Sequence, residues 1–237
     1  MDEVCKQIRG DAKLAAGYNA VGLSQGALLL RGVLTLCADR PDQPPMKNLI
    51  LAGGPNMGVM ELPGAACPQP ENWHPLFLKV ACVVAQHALS LTSYHIRGLA
   101  RHVMPGQYFR DTTAFSTYKK DSRFLADLNN EMGWKNPAYK ANLETLDSLT
   151  LLKFNQDQVV NPRESAWFES YSKKEKRMLS LREQDLYKED FIGLRALDEA
   201  GKITFLEKDG KHMEYNAAYA EEHFFPVLGL GPGERSL

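Results

Sequence analysis

The chain has few cysteines, no glycosylation sequon, no long apolar run and no surplus of either charge. Each shortage excludes something. The four cysteines, Cys5, Cys37, Cys67 and Cys82, form no C-x-x-C pair, which argues against a zinc knuckle or a thioredoxin-type motif. No metal and no cofactor is implied. The four are either buried thiols or two disulfides, and disulfides would require an oxidising compartment. No asparagine stands in an Asn-x-Ser/Thr sequence, and Met1-Asp2-Glu3 opens the chain with neither a basic start nor an apolar segment. Taken at face value, that predicts a cytosolic chain with no secretory signal. No apolar run approaches the roughly 18–20 residues of a transmembrane helix. Lys+Arg is 28 and Asp+Glu is 29, a formal net charge of -1. That balance gives no overall attraction for nucleic acid or acidic membranes.

What is present is ordinary globular material. Apolar residues are 44% and charged residues 24% of 237, enough to bury roughly 70–75% of the unfolded surface without metal or disulfide staples. There are no internal repeats. The pattern predicts a helix over 2–15, with Val4, Ile8, Leu14 and Ala15 near one face and Gly17 as its stop. A short strand follows at 18–23. Residues 25–36 read as a helix apolar on nearly every side (Ala27, Leu28, Leu29, Leu30, Val33, Leu34), which must be buried. A polar, Pro-rich loop spans 39–45. The run Asn48–Ala52 reads as a central strand covered on both faces. A helical, polar block spans about 75–146, an insert between strands. Further strands are expected at 149–154 and 203–206, with short helices and loops over 161–202 and a last helix over 214–228. Strands alternating with helices indicate an α/β fold with a mostly parallel sheet.

Gly22-Leu23-Ser24-Gln25-Gly26 is a G-x-S-x-G pentapeptide between the first strand and the first buried helix. By itself it is also compatible with an ordinary Gly-rich turn. In the strand–helix context it reads as a nucleophile elbow: the serine sits on a strained turn, and the two glycines make room where side chains would clash. The backbone N–H of Gln25, at the helix start, can then donate to a developing oxyanion. Serine is a poor nucleophile alone and needs a base oriented by an acid. In α/β-hydrolases the order is Ser, acid, His. Asp157 is the only acid in the loop Asn155–Gln158 after the strand ending at Phe154. His212 follows the last strand. His74, His87, His95 and His102 precede the acid in sequence, and His223 falls inside the last helix, where packing is its expected role.

These residues resemble the palmitoyl-protein thioesterase family. The likeness is densest in Gly17–Gly26, reading GYNAVGLSQG. It continues in Asn48-Leu49-Ile50, Gly53-Gly54, Gly58-Val59, Phe124–Glu131, Phe154-Asn155-Gln156-Asp157, Val160, Pro162, Trp167-Phe168, Gly193-Leu194, Leu197-Asp198, Gly201-Lys202 and the block around His212. It covers most of residues 1–228, with 65–120 poorly matched.

The resemblance implies a single α/β-hydrolase domain over 1–237, its parallel sheet flanked by helices and carrying the helical insert. It implies removal of fatty acyl groups, chiefly palmitate, from cysteine thioesters of S-palmitoylated proteins, with Ser24, Asp157 and His212 as triad. It implies a lysosomal or secretory location, against the cytosolic reading of the start. Cys5 and Cys37 fall where the family has a disulfide; Cys67 resembles a family cysteine, while Cys82 departs from the family spacing. Asn56 stands where the family usually has His. Family members also carry a signal peptide and leading strands before the GYNA segment, including the loop with the second oxyanion donor, so this chain is expected to be an N-terminally truncated form. Val83, Val84, Leu89, Leu91, Ile96 and Leu99 are candidates to line an acyl groove or to be plain core. The alternatives are another lipase or carboxylesterase of the same fold, or a truncated inactive product.

Overall fold

A computed structural model describes residues 1–60, 107–110, 115–122 and 124–231. Helix α1 (Asp2–Gly10) carries Asp2 and Glu3 in its first turn and Arg9 in its last, favourable at both ends of the helix dipole. The expected helix over 2–15 breaks at Asp11. That residue is extended (φ -91°, ψ 107°), and its carboxylate accepts the Lys13 N–H at 2.9 Å, opening a separate 3₁₀ turn over Ala12–Leu14. A short polar side chain competing for backbone donors ends the helix.

Strand β1 (Tyr18–Leu23) leads through Ser24 into α2 (Gln25–Cys37), and β2 (Met46–Ala52) follows. Then come α3 (Phe115–Asp121), α4 (Leu125–Leu128), α5 (Pro137–Glu144) and β3 (Ser148–Phe154). Strands β4 (Ser170–Ser172) and β5 (Arg177–Leu179) form an antiparallel hairpin where only helices and loops were expected. Three-residue strands are too short to show an alternating pattern in sequence. Helices α6 (Asp185–Lys188) and α7 (Leu194–Glu199), strand β6 (Ile203–Lys208), and helices α8 (Ala217–His223) and α9 (Phe225–Leu228) complete the described chain. The single final helix expected over 214–228 is two short ones. Asn216 caps α8 by accepting the Tyr219 N–H at 3.0 Å. Pro226, without an N–H, starts α9 afresh.

The sheet runs β1-β2-β3-β6, every pair parallel. Register aligns the carboxyl ends: Leu23 pairs with Ala52, Ala52 with Leu152, and Leu152 with Leu206. The pleat divides the central strands between two cores. Leu49, Leu51, Leu149 and Leu151 pack with Ala27, Val33 and Leu34 of α2 and with Leu194 and Leu197. Ile50, Ala52, Leu152 and Phe154 pack on the other face, against Phe224 and its neighbours from α8 and α9. The expected all-round burial of α2 holds for most of the helix, but Leu29 is 42% exposed. Cys5 and Cys37, both fully buried, form a disulfide tying α1 to the end of α2.

Most of the insert expected over 75–146 lies outside the described residues, as do Cys67, Cys82, the four histidines between 74 and 102 and the groove candidates between 83 and 99. Its described part holds α3, α4 and α5 with non-helical segments between them, and Phe109 forms a parallel bridge with Val59. Among the described residues no helix is long and apolar enough to cross a membrane.

Candidate active site

The site forms where parallel strands end, the usual location for ligands in an open α/β sheet. Ser24 closes β1 with φ 52° and ψ -122°, a strained turn for a side chain with a Cβ. Its N–H donates to Ala52 O at 2.8 Å, and its carbonyl accepts the Ala27 N–H at 3.0 Å. The turn is therefore fixed on both sides. Glycine is required at position 22, where a Cβ would lie 2.7 Å from Ala27 Cα. Gly26 differs from expectation: a Cβ there meets nothing within 4 Å. Only one of the two glycines makes room for the elbow. Gln25 is the first residue of α2, so its N–H belongs to the orphan donors of the first turn.

His212 Nε2 lies 2.8 Å from Ser24 Oγ, and His212 Nδ1 lies 2.7 Å from Asp157 Oδ2. The structure brings together three side chains separated by up to 188 residues. The Asp157 carboxylate is 2% exposed. Its other oxygen, Oδ1, accepts the N–H groups of Val159 at 2.8 Å and Val160 at 3.0 Å. A carboxylate can only accept, so this geometry keeps a proton on Nδ1 and leaves the Nε2 lone pair facing the serine hydroxyl. The imidazole packs edge-on to Phe154, and a Cβ on Gly53 (φ +58°) would lie 3.3 Å from His212 Cε1.

The two loops that carry Asp157 and His212 are stitched to each other. Asn155 N–H donates to Lys208 O at 2.9 Å, Gln156 N–H to Gly210 O at 3.0 Å, and Asn155 Nδ2 to Asp209 Oδ1 at 2.8 Å. This extends the β3–β6 pairing past the sheet and sets Asp157 and His212 at hydrogen-bonding distance. His223 stands apart, in the last turn of α8, with its ring 4.3 Å from that of Tyr219.

Sequence reasoning missed Arg31, two turns beyond Ser24 on the buried side of α2. It is 2% exposed. Its guanidinium donates to Asn56 O at 3.0 Å and Asn129 Oδ1 at 2.6 Å, and lies 4.6 Å from the Phe168 ring centroid. Burial pulls its pKa down to about 9, with Tyr118 and Glu131 opposing. It remains charged at neutral pH. Asn56 is itself fully buried, and its Nδ2 donates to Ala166 O at 2.9 Å. The group knits α2, the turn after β2, the segment after α4 and the 3₁₀ turn Arg163–Trp167 together behind the elbow. An arginine within an apolar helix was the available signal.

The palmitoyl protein thioesterase family model matches residues 1–212. Palmitoyl-protein thioesterase 1 of Caenorhabditis elegans is 41% identical over 211 residues, 89% of this chain and 65% of that protein. Palmitoyl-protein thioesterase 3 of Dictyostelium discoideum is 30% identical, covering 91% of this chain and 68% of its own length. Lysosomal thioesterase PPT2-B of Xenopus laevis is 28% identical, covering 82% and 62%. The chain thus spans about two thirds of the length of these curated relatives.

Proposed function

The chain belongs to the palmitoyl protein thioesterase family, which has the α/β-hydrolase fold, and on that premise we propose that it hydrolyses long-chain acyl thioesters, chiefly palmitoyl groups on protein cysteines. The observation that carries this reading is the hydrogen-bonded chain Ser24–His212–Asp157. His212 Nε2 takes the Ser24 proton as Oγ attacks the thioester carbonyl. Asp157 holds the tautomer and stabilises the imidazolium. The Gln25 N–H donates to the oxyanion of the tetrahedral intermediate. Collapse breaks the carbon–sulfur bond, releasing the cysteine thiolate, to which His212 returns the proton. Water, deprotonated by His212, then attacks the acyl-serine. A second tetrahedral intermediate collapses to the fatty acid and free Ser24. No step needs a metal or cofactor.

The whole chain is read as one domain, with the segment about 75–146 as a helical cap over the acyl chain. The proposed substrates are S-palmitoylated proteins or peptides, and the proposed location is the lysosome or secretory route. The Cys5–Cys37 disulfide supports that location, because such bonds persist in oxidising compartments.

The test compares turnover of a palmitoyl-cysteine peptide with p-nitrophenyl butyrate, for wild type and Ser24→Ala. Wild type is expected to prefer the palmitoyl thioester. Ser24→Ala is expected to lose roughly 10⁴–10⁶-fold in turnover with an unchanged thermal midpoint, since alanine fits the same turn. Preference for the short ester would make the chain a carboxylesterase. A variant retaining more than a few per cent of wild-type turnover would remove Ser24 from the mechanism.

A further inference from the structure

The formal net charge of -1 conceals a concentration of cations at one place. The turn between β4 and β5 reads Lys173-Lys174-Glu175-Lys176, all exposed. Its acid is neutralised locally: Arg177 binds Glu175 at 2.7 Å and Glu183 at 2.8 Å. A cleft of about 750 Å³ beside this hairpin is lined also by Lys119, Lys135 and Lys188, and by Arg110 and Glu131, which pair with each other at 2.7 Å. Among the described residues, lysine ion pairs occur at Lys140 and Lys153 only. The tip lysines and Lys188 thus have no carboxylate partner among the described residues, whereas the Lys135 ammonium donates to Asn130 O at 2.7 Å and lies 3.6 Å from the Phe191 ring centroid; Asp185 is the one lining acid outside an ion pair.

Apolar groups sit among these cations. Phe115 lines the cleft and is an exposed ring, 5.3 Å from Lys119 Nζ. Trp134, next to Lys135, is 65% exposed. An exposed indole one residue from a cleft lysine suits the headgroup layer of a bilayer, where the ring is half immersed and its N–H stays wet.

We infer that the hairpin tip Lys173–Lys176, the cationic cleft beside it and Trp134 dock this protein on an anionic phospholipid surface. The lysines are hydrated point charges on flexible stems. Such groups suit a fluid field of phosphates better than one fixed carboxylate geometry, for which planar arginine forks are preferred. The surface would hold the protein where membrane-tethered acyl-cysteine substrates reside. Binding itself does not depend on hydrolysis, so it can fail or hold independently of the thioesterase reading.

The test is co-sedimentation of the full chain with vesicles of phosphatidylcholine alone and of phosphatidylcholine with phosphatidylserine. Binding is expected only to the second kind and should weaken as salt is raised. The variant Lys173→Glu/Lys174→Glu/Lys176→Glu, which changes exposed side chains, should keep the wild-type circular dichroism and melting profile while binding falls by about tenfold or more. Trp134→Ala should weaken binding without changing its salt dependence. Equal partition onto both vesicle types, or undiminished binding by the triple variant, would overturn the proposal. So would capture by an acidic polyglutamate peptide without vesicle binding, which would make the patch a peptide site.

Discussion

The Asp157 carboxylate is held from two sides: Oδ2 meets His212 Nδ1 at 2.7 Å, and Oδ1 accepts two backbone N–H groups, from Val159 and Val160. The backbone donors fix the plane of the carboxylate independently of the histidine. The imidazole orientation is thus inherited from the loop after β3. The serine, on a strained turn held by Ala52 O, is fixed from the opposite side. In the proposed mechanism neither partner needs to move for the proton to pass.

Replacing Asp157 with Asn should keep this geometry while removing the charge that stabilises the imidazolium and inverting the favoured tautomer. Turnover of a palmitoyl thioester should fall by roughly 10³–10⁴-fold, with KM changed little. Steady-state kinetics at neutral pH check this. A loss of less than tenfold would mean that Asp157 does not orient the base.

The two elbow glycines should behave oppositely. Gly22→Ala places a methyl 2.7 Å from Ala27 Cα, and strain of this kind costs about 1–3 kcal/mol or more. Gly26→Ala enters open space within α2 and should be neutral or stabilising by up to about 1 kcal/mol. Urea unfolding of the two variants reads the difference, and equal effects would contradict the packing described.

Removing the buried guanidinium with Arg31→Met should destabilise the protein by about 2–4 kcal/mol, because Asn56 O and Asn129 Oδ1 lose their strongest donor inside the core. The turn after β2 lies beside His212, so activity should fall as well. A denaturation midpoint matching wild type would show that the network contributes nothing.

The Cys5–Cys37 bridge closes a separation of 32 residues. In the chain-entropy picture, a loop of that size is worth about 3–4 kcal/mol. Cys5→Ser/Cys37→Ser should lower the melting temperature by several degrees and leave the substrate preference unchanged. An unaltered melting temperature under oxidising conditions would show that the bridge does not contribute.

Local pattern carried much of this protein in its sequence. The apolar run at Leu49–Ala52 reads directly as a strand buried on both faces, and β2 is one. The elbow is visible because a strand, a G-x-S-x-G and an apolar helix are contiguous. Asp157 and His212 could be chosen from chain order and from their places after strands. These features depend on neighbours a few residues apart, where steric and periodic rules act. Tertiary structure alone decided the rest. That Gly22 is tight and Gly26 free depends on where the body of α2 lies against β1. The burial of Arg31 among Asn56, Asn129 and Phe168 depends on segments far along the chain meeting behind the elbow. The hairpin at Ser170–Leu179 has strands too short for any period, so its lysine tip became a projecting element only when its ladder closed. Which oxygen of Asp157 faces His212 follows from two N–H groups placed by the loop fold, a geometry no residue type announces.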